Sequence, residues 1–426
     1  MAVFIKNGFE IGFAYYNGST WSQGTVQGFV TGEQFEDPRV VSLMMMVGGL
    51  PTPVFVCAYK NQDSVFVRRF NEVSGAFGDS IFVFQGTGVG VDKPWLIAGA
   101  LNPSGFQDAH AVWFNFGNRL WSSFSTDGGS IWTSQPVLEL ATGSPIITNF
   151  CAQPAIGDTT MPGPYYVAVT PSQNPPTWKI LEAKDEAAPG NPPDWQFNFL
   201  TDGTTRGVLE MTGMGLVNGN QHVAGEFLVR TVPYLVADPT DPDRLYFVYH
   251  GLTDVNTKDV DVYCRTLTRT GSTGETGDWS AGPRVRVNDL LPVQPGGADF
   301  DQIFPVARVD QEGRLHIAFY DERDADNGPD TSTEADFSLY YAVSTDHGAS
   351  FTNIRMTGIP HKPTLETTRT GPGVAPVAKW PPGEYAGIAC DGDTVWIAFA
   401  GTSDLDINPD GSTPDQSVIF VVKIQY

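Results

Sequence analysis

The sequence has little positive charge, few histidines and no long apolar run. Its 426 residues include 25 Lys and Arg and only 6 His against 48 Asp and Glu, which gives a formal net charge of −23. A surface of this sign repels phosphate backbones and anionic lipids, so nucleic-acid binding is disfavoured. The most apolar stretch, Val40 to Val47, is far too short to cross a bilayer. We therefore expect no nucleic-acid partner and no membrane span.

Cysteine is also scarce, and a leader sequence is not visible. The four cysteines are far apart and form no Cys-x-x-Cys pair, which favours buried free thiols over a disulfide or a zinc site. Residues 1–10 lack a basic segment followed by an apolar one, which is the pattern of a secretory signal. The compartment is therefore unknown from the sequence, and an extracellular location is favoured only if a signal peptide was removed.

The abundant residue types are those of turns and strands. The chain has 46 Gly, 32 Pro and 12% aromatic residues, and its apolar runs are short and bounded by Gly, Pro, Asn or Asp. This composition predicts an all-β protein. A recurring unit of several dozen residues opens with a short run, often centred on proline, and continues with a strongly apolar strand. Six such openings occur, at Asp37–Val40, Asp92–Trp95, Ala152–Ala155, Thr231–Tyr234, Ile303–Val306 and Glu384–Gly387.

Two stretches share the pattern Ser-x-Asp-x-Gly-x-x-aromatic, and each follows a strand-like run. They are Ser125 to Trp132 and Ser344 to Phe351. The Asp carboxylate can accept hydrogen bonds from backbone N–H groups further along the turn, and Gly can adopt the positive φ that the turn needs. We therefore expect two self-contained hairpin turns, which we call the first and second Ser–Asp turns.

These turns resemble the Asp box (BNR repeat) of the sialidase-like β-propellers. The resemblance implies a single six-bladed β-propeller over residues 1–426. The expected blades are 36–88, 92–140, 150–200, 229–288, 301–357 and 383–426. The last of these is one strand short, so we expect residues 9–21 to supply its outer strand and close the ring.

The resemblance also implies catalytic residues. Sialidase-like enzymes use a tyrosine nucleophile polarised by a glutamate, an aspartic acid as acid/base, and arginines that bind the substrate carboxylate. The matching positions here are Tyr385, Glu384, Asp63 and Arg39. The match is incomplete, because the Arg-Ile-Pro motif is absent and two further arginines have no motif match.

Polar residues that precede the first strands or follow the second strands should share one rim of such a ring. They extend the predicted substrate-binding set around Arg39 to Asp37, Lys93, Arg230, Asp321 and Arg323. His250, at the end of a second strand, could serve as a general base, as in lyases, with Tyr249 or Tyr385 as the acid.

A candidate calcium loop follows the sixth second strand. Asp404, Asp406, Asn408 and Asp410 alternate and are followed by Gly411, which is how calcium loops place oxygen ligands. The acidic residue that closes an EF-hand loop is missing, so a solvated acidic turn is the alternative.

These observations predict a carbohydrate-active protein, namely a sialidase-like exo-glycoside hydrolase that acts on an acidic glycan at the channel mouth. Two alternatives remain open: a non-catalytic propeller, either a glycan-binding lectin or a protein-interaction scaffold, and a polysaccharide lyase. Asp-box turns are structural, so they do not discriminate between these functions.

Overall fold

The computed structural model describes most of the chain, with gaps between strands. The described residues are 1–6, 10–27, 35–47, 50–85, 90–101, 106–115, 119–139, 155–156, 165–173, 176–185, 195–199, 210–211, 222–223, 227–228, 233–252, 260–270, 279–289, 300–323, 337–356, 386–402 and 417–425. Within them every regular element is a β-strand. The predicted all-β class is therefore confirmed. None of these residues belongs to a helix that could span a membrane.

The chain divides into two compact units. Unit 1 contains Met1–Glu210 and Arg269–Ser280, and unit 2 contains Met211–Thr268 and Ala281–Tyr426. Nearly all strands pair with their neighbours in sequence, so each sheet is an antiparallel meander.

The N-terminal sheet of unit 1 has three strands, in the order β1-β2-β3. These are β1 (Ala2–Lys6), β2 (Glu10–Tyr16) and β3 (Trp21–Gln27). β2 is hydrogen-bonded on both sides, to β1 and to β3. A strand has only two edges, so β2 cannot also be the outer strand of the last sheet. The prediction that residues 9–21 complete that sheet is wrong, because β1 occupies one edge of β2 and β3 occupies the other.

Three larger sheets follow in unit 1. The first sheet consists of β4 (Glu36–Val47), β5 (Leu50–Lys60), β6 (Ser64–Asn71), β7 (Ala76–Phe77) and β8 (Ile81–Gln85). The second consists of β9 (Val91–Leu101), β10 (Gln107–Asn115), β11 (Arg119–Ser125) and β12 (Thr133–Glu139). The third consists of β13 (Ala155–Ile156), β14 (Tyr165–Gln173), β15 (Pro176–Asp185), β16 (Trp195–Phe199) and β17 (Glu210–Met211).

Further along the chain, a two-stranded ribbon and three more sheets follow. The ribbon is β18 (His222–Val223) with β19 (Phe227–Leu228). The fourth sheet consists of β20 (Tyr234–Asp238), β21 (Asp241–Leu252), β22 (Val260–Arg269), β23 (Trp279–Ala281) and β24 (Val285–Arg286). The fifth consists of β25 (Gln302–Val309), β26 (Leu315–Asp321), β27 (Ser338–Ser344) and β28 (Thr352–Arg355). The sixth consists of β29 (Gly387–Asp391), β30 (Thr394–Thr402) and β31 (Ser417–Gln425).

Six meander sheets thus follow one another along the chain, which is the strand pattern expected of a six-bladed β-propeller. Each predicted opening lies in or beside the first strand of its sheet, and the following apolar run forms the second strand. The outer position of the first sheet is shared by two short strands, since β7 and β8 both pair with β6.

The first sheet explains why second strands read as continuous apolar runs. Val56 and Ala58 of β5 pack in one core cluster with second-sheet residues such as Trp113. Cys57 and Tyr59, which alternate with them, pack instead against residues of the N-terminal sheet such as Phe13. Successive residues of a strand point to opposite faces, so a strand buried on both faces must be apolar at every position.

Among the described cysteines, Cys57 and Cys264 are buried free thiols, as predicted, and Cys390 is a free thiol that is partly buried. Cys151 lies outside the described residues. His110 is buried and its ring lies 3.7 Å from that of Tyr165. His347 is exposed, with 53% of its side chain accessible.

The first Ser–Asp turn has the predicted hydrogen bonds. The backbone N–H groups of Ser130 and Ile131 donate to Asp127 Oδ1 at 2.8 and 2.9 Å. The N–H of Gly129 donates to Ser125 Oγ at 2.9 Å, and the Trp132 indole donates back to the Gly129 carbonyl at 3.1 Å. The aromatic residue therefore closes over the turn.

The second Ser–Asp turn repeats this arrangement in unit 2. The N–H of Ser350 donates to Asp346 Oδ1 at 2.9 Å, and the N–H of Gly348 donates to Ser344 Oγ at 2.8 Å. Hydrogen bonds from the Ser350 hydroxyl, which contributes most, and from the Ser344 hydroxyl and the Ser350 N–H lower the pKa of the exposed Asp346 carboxyl to about 2. The turn also contacts the fourth sheet, where Thr266 Oγ1 donates to the His347 carbonyl at 2.9 Å.

We predict that Gly348→Ala destabilises the protein by roughly 1–3 kcal/mol. Gly348 has a φ of +80°, and an added Cβ would lie 3.0 Å from Thr266 Oγ1 and 3.5 Å from Cys264 Sγ. Thermal unfolding followed by tryptophan fluorescence measures the effect. Gly387→Ala is the matched control, because a Cβ there meets nothing within 4 Å. Equal melting temperatures for the two variants would contradict this account of the turn.

We also predict that acid destabilises the fold through buried histidines. Burial lowers the pKa of His110 to about 3, so the unfolded chain takes up a proton there before the folded chain does. Stability is then lost as the pH falls from about 6.5 towards 3, by about 1.4 kcal/mol per pH unit for one such group. His110→Gln should flatten the dependence of melting temperature on pH. Parallel curves for wild type and His110→Gln would be inconsistent with a buried neutral imidazole.

Candidate active site

Several acidic side chains lie buried together in unit 2, where strands of the fourth and fifth sheets begin and end. We define the carboxylate cluster as four acids and two amides that are each at least nine-tenths buried: Asp261, Asp301, Asp321, Glu322, Asn288 and Gln302. Asp261 lies near the start of β22, Gln302 begins β25, and Asp321 ends β26. Carboxylates are rarely buried unless they are paired or functional, so this cluster is the candidate site.

The register of the fifth sheet brings part of the cluster into one row. Gln302 lies opposite Asp321, and Asp321 lies opposite Ser338 of β27. Residues directly opposite each other in antiparallel strands project from the same face, so these three side chains are neighbours. Gln302 Nε2 donates to Asp321 Oδ1 at 3.3 Å.

Asn288 joins this row to the fourth sheet. Its Nδ2 lies 2.7 Å from Gln302 Oε1 and 2.7 Å from Asp261 Oδ1, and it donates to both. Its Oδ1 accepts a hydrogen bond from the backbone N–H of Val262 at 2.9 Å. The amide therefore fixes the two sheets at a defined separation around the acids.

Asp301 and Glu322 form a second part of the cluster. The Glu322 N–H donates to the Asp301 carbonyl at 3.1 Å, and the Asp301 N–H donates to Glu322 Oε2 at 3.2 Å. Asp301 Oδ1 accepts a hydrogen bond from the Val260 N–H at 2.9 Å. Backbone donors therefore hold both carboxylates in place.

Asp321 is paired with Arg323. Arg323 Nε and Nη2 lie 2.9 and 2.7 Å from Asp321 Oδ2, and the Arg323 N–H donates to Asp321 Oδ1 at 2.9 Å. Burial raises the pKa of the Asp321 carboxyl, and the contacts with Arg323 offset only part of that effect. A carboxyl with a raised pKa can retain a proton for acid catalysis.

Arg323 is held on several sides. Its Nη1 lies 3.3 Å from Asp289 Oδ2, and its guanidinium lies 4.2 Å from the centre of the Tyr340 ring. A substrate carboxylate would therefore compete with two acids for this arginine. These contacts favour a role for Arg323 in positioning Asp321 over its predicted role in binding the substrate.

His250 supports a strained segment beside the cluster. Phe304 has a φ of +50°, which is unusual for a residue with a large side chain. The register of β25 with β26 shifts between Ile303 and Val306. The Phe304 N–H donates to His250 Nδ1 at 3.2 Å, so Nδ1 of the buried His250 is an acceptor and carries no proton. Strain of this kind is often found at functional sites.

Three of the predicted site residues therefore lie in this region: His250, Asp321 and Arg323. The predicted pairing of His250 with Tyr249 is not supported. His250 lies opposite Val262 and Tyr249 lies opposite Tyr263 in the same strand pair, so the two side chains project from opposite faces. For the lyase alternative, the pairing of His250 as the base with Tyr385 as the acid stays a prediction.

In unit 1 the structure describes the side chains of two predicted site residues, Arg39 and Asp63, and each makes contacts of its own. The guanidinium of Arg39 lies 4.0 Å from the centre of the Trp95 ring, which is a cation–π contact. Asp63 lies in the turn before β6, where its Oδ1 accepts a hydrogen bond from Ser64 Oγ at 3.1 Å. For two further predicted residues, Asp37 and Lys93, the structure describes the backbone, which lies in β4 and β9.

The remaining predictions fall outside the described residues. These are Glu384, Tyr385 and Arg230 and the calcium loop of Asp404, Asp406, Asn408 and Asp410. In the part of the chain that is described, no group of three or more His, Cys, Asp or Glu residues is arranged to hold a metal ion.

No sequence-based prediction included Asp261, Asn288 or Gln302. A signal existed for Asp261, which breaks the apolar alternation at the start of β22. Gln302 and Asn288 gave no such signal, because an amide beside a turn is common. Their importance arises only from the hydrogen bonds across two sheets.

Comparisons with known proteins give no family. No family model matches the sequence, and no curated protein matches it. Among solved structures, the chain is similar to an α-L-arabinanase of Penicillium chrysogenum, with 14% identity, a TM-score of 0.39, and coverage of 78% of this chain and 92% of that one. A GH93 α-L-arabinofuranosidase of Fusarium graminearum has 13% identity and a TM-score of 0.41, with coverage of 79% and 93%. A fucose-specific lectin from Aleuria aurantia has 11% identity and a TM-score of 0.41, with coverage of 86% and 89%. Similarities of this size do not identify an activity.

Proposed function

We propose that the protein is a carbohydrate-active enzyme, a glycoside hydrolase whose acidic groups come from the carboxylate cluster. The observation that carries this proposal is the burial of four acids with two amides at the ends of adjoining strands. Glycoside hydrolysis needs two carboxyl groups held in different protonation states, one as the acid and the other as the base or nucleophile.

The cluster contains groups suited to both roles. Asp321, whose pKa is raised by burial, is the proposed general acid. One acid of the pair Asp301 and Glu322, both held by backbone N–H donors, is the proposed base or nucleophile. Arg323 is a positioning residue in this scheme, because it fixes the orientation of Asp321 through three contacts.

We predict that the purified protein releases the aryl group from at least one of a panel of chromogenic glycosides. Asp321→Asn should reduce kcat by about 10²–10⁴-fold, which is the usual contribution of general acid catalysis. Asp241→Asn, at a partly exposed acid of the same unit, is the matched control and should keep full activity. If Asp321→Asn is as active as wild type, the proposed mechanism is wrong. Glycan binding without turnover would identify a lectin instead.

The pH profile tests the assigned roles separately. The acid must be protonated to act, so kcat/KM should fall as the pH rises through the pKa of Asp321. Arg323 lowers that pKa, and Arg323→Gln should therefore move the alkaline limb of the profile to higher pH. A limb that stays in place in Arg323→Gln would argue against Asp321 as the acid.

We also propose a second candidate, a sialidase-like hydrolase that acts on an acidic glycan and uses a different set of residues. Tyr385 would be its nucleophile, with Glu384, Asp63 and Arg39 as partners. Its support is the position of Tyr385 in the chain, two residues before Gly387, where the first strand of the sixth sheet begins. Chromogenic sialosides in the same panel test it, because Tyr385→Phe should abolish their turnover. Sialoside turnover that persists in Tyr385→Phe would exclude this tyrosine as the nucleophile.

Calcium binding at Asp404, Asp406, Asn408 and Asp410 is also proposed, on the alternating oxygen ligands alone. Its test is the metal content of extensively dialysed protein, measured by atomic emission, which should be about one equivalent of calcium in wild type. Asp406→Ala should lose this calcium, whereas Asp415→Ala, at an acid outside the alternating pattern, should keep it. Equal metal content in wild type and Asp406→Ala would rule this loop out.

A further inference from the structure

One face of the fourth sheet carries tyrosine and arginine side chains close together. In the β21–β22 pair, Tyr249 lies opposite Tyr263, and Phe247 lies opposite Arg265. Cross-strand partners project from the same face, so Tyr249, Tyr263 and Arg265 share one face, and Arg265 is a diagonal neighbour of Tyr249. His250 belongs to the opposite face. This tyrosine–arginine group therefore does not include His250, which contacts the strained segment at Phe304.

The hydroxyl of Tyr249 is buried without a hydrogen-bond partner among the described residues. The side chain is 0% exposed, and its ring lies 5.8 Å from that of Tyr263. Within the described ranges, no donor or acceptor reaches Tyr249 OH. A buried polar atom that makes no hydrogen bond lowers stability, so proteins rarely retain one without a ligand or a function.

Arg265 presents a second donor of the same kind. Its Nε is buried and has no hydrogen-bond partner in the described part of the chain. A partly buried guanidinium usually pairs with a carboxylate or another oxyanion.

A third positive group lies beside these two. The Arg284 guanidinium is 3.7 Å from the centre of the Tyr263 ring. Burial raises the pKa of Tyr249, while the charges of Arg284 and then Arg265 oppose that effect, so both charges reach its hydroxyl. Asp261, an acid described on the same face, is bound by Tyr263 OH at 2.9 Å and by Arg286 at 2.8 Å. Two guanidinium charges therefore act on the Tyr249 hydroxyl.

We propose that Tyr249, Arg265 and Arg284 form a binding site for a small oxyanion, that is, a sulfate, phosphate or carboxylate group. The Tyr249 O–H and the Arg265 Nε–H supply hydrogen bonds, and the two guanidinium groups supply compensating charge. This proposal does not depend on the glycoside hydrolase function, because none of the three residues belongs to the carboxylate cluster.

The test is a titration of the full chain with sodium sulfate, at an ionic strength kept constant with sodium chloride. Wild type should show a saturable rise in melting temperature, since a ligand that binds only the folded state stabilises it. Tyr249→Phe and Arg265→Gln should each weaken the apparent sulfate affinity at least about tenfold, because each removes a charge-assisted hydrogen bond. Arg308→Gln, at an exposed arginine of the same unit, is the matched control and should titrate like wild type.

Tyr249→Phe also gives a readout that a purely structural tyrosine would not. In chloride alone it should melt at the same temperature as wild type or above it, because it removes only an unmatched hydroxyl. In saturating sulfate it should melt below wild type. This reversal keeps the test valid even if Arg265→Gln does not fold.

Parallel titrations with inorganic phosphate, acetate and glucuronate separate the sources of the oxyanion. Saturation by glucuronate alone identifies a sugar carboxylate, and saturation by sulfate or phosphate identifies an inorganic or ester group. A linear rise with every salt, or the same saturable rise in Tyr249→Phe and wild type, would overturn the proposal.

Discussion

The antiparallel register of β25, β26 and β27 is the constraint on which the candidate site depends. It sets Gln302, Asp321 and Ser338 in one row, and a one-residue shift of any one strand would turn that strand's member of the row to the opposite face. Because the strands β25 and β26 are buried along nearly their whole length, such a shift would also misplace the core. The chemistry of the site is thus fixed by the same packing that stabilises the sheet.

Burying several carboxylates in one place is costly, and the structure offsets that cost locally. Backbone N–H groups bind Asp301 and Glu322, Asn288 binds Asp261, and Arg323 binds Asp321. Asp321 is distinctive, since the raised pKa of its carboxyl means that its partner does not fully compensate for burial. Acids with a perturbed pKa occur more often at functional sites than elsewhere, which is why Asp321 belongs to the candidate site.

A second buried network in unit 2 shows the contrast. His316 Nε2 lies 2.9 Å from Asp310 Oδ2, and His316 Nδ1 lies 2.6 Å from the Tyr341 hydroxyl. Burial acts to raise the pKa of Asp310, but hydrogen bonds from His316 and Arg314 outweigh it and lower that pKa. His316 and Asp310 are both hydrogen-bonded, as expected for a network that stabilises the fold. Both networks contain buried acids, and the partners of those acids distinguish the two networks.

The sequence by itself determined the strand pattern of this protein. Alternation, turn residues and the two Ser–Asp motifs are local properties, so the six sheets and the hydrogen bonds of both turns could be predicted from neighbouring residues. The sequence also placed His250, Asp321 and Arg323 at strand ends. Tertiary structure alone decided that Asn288 connects the fourth and fifth sheets, that β2 pairs with β1, and that Tyr249 and His250 point apart. Those facts depend on the pairing and packing of whole strands, which local patterns do not encode.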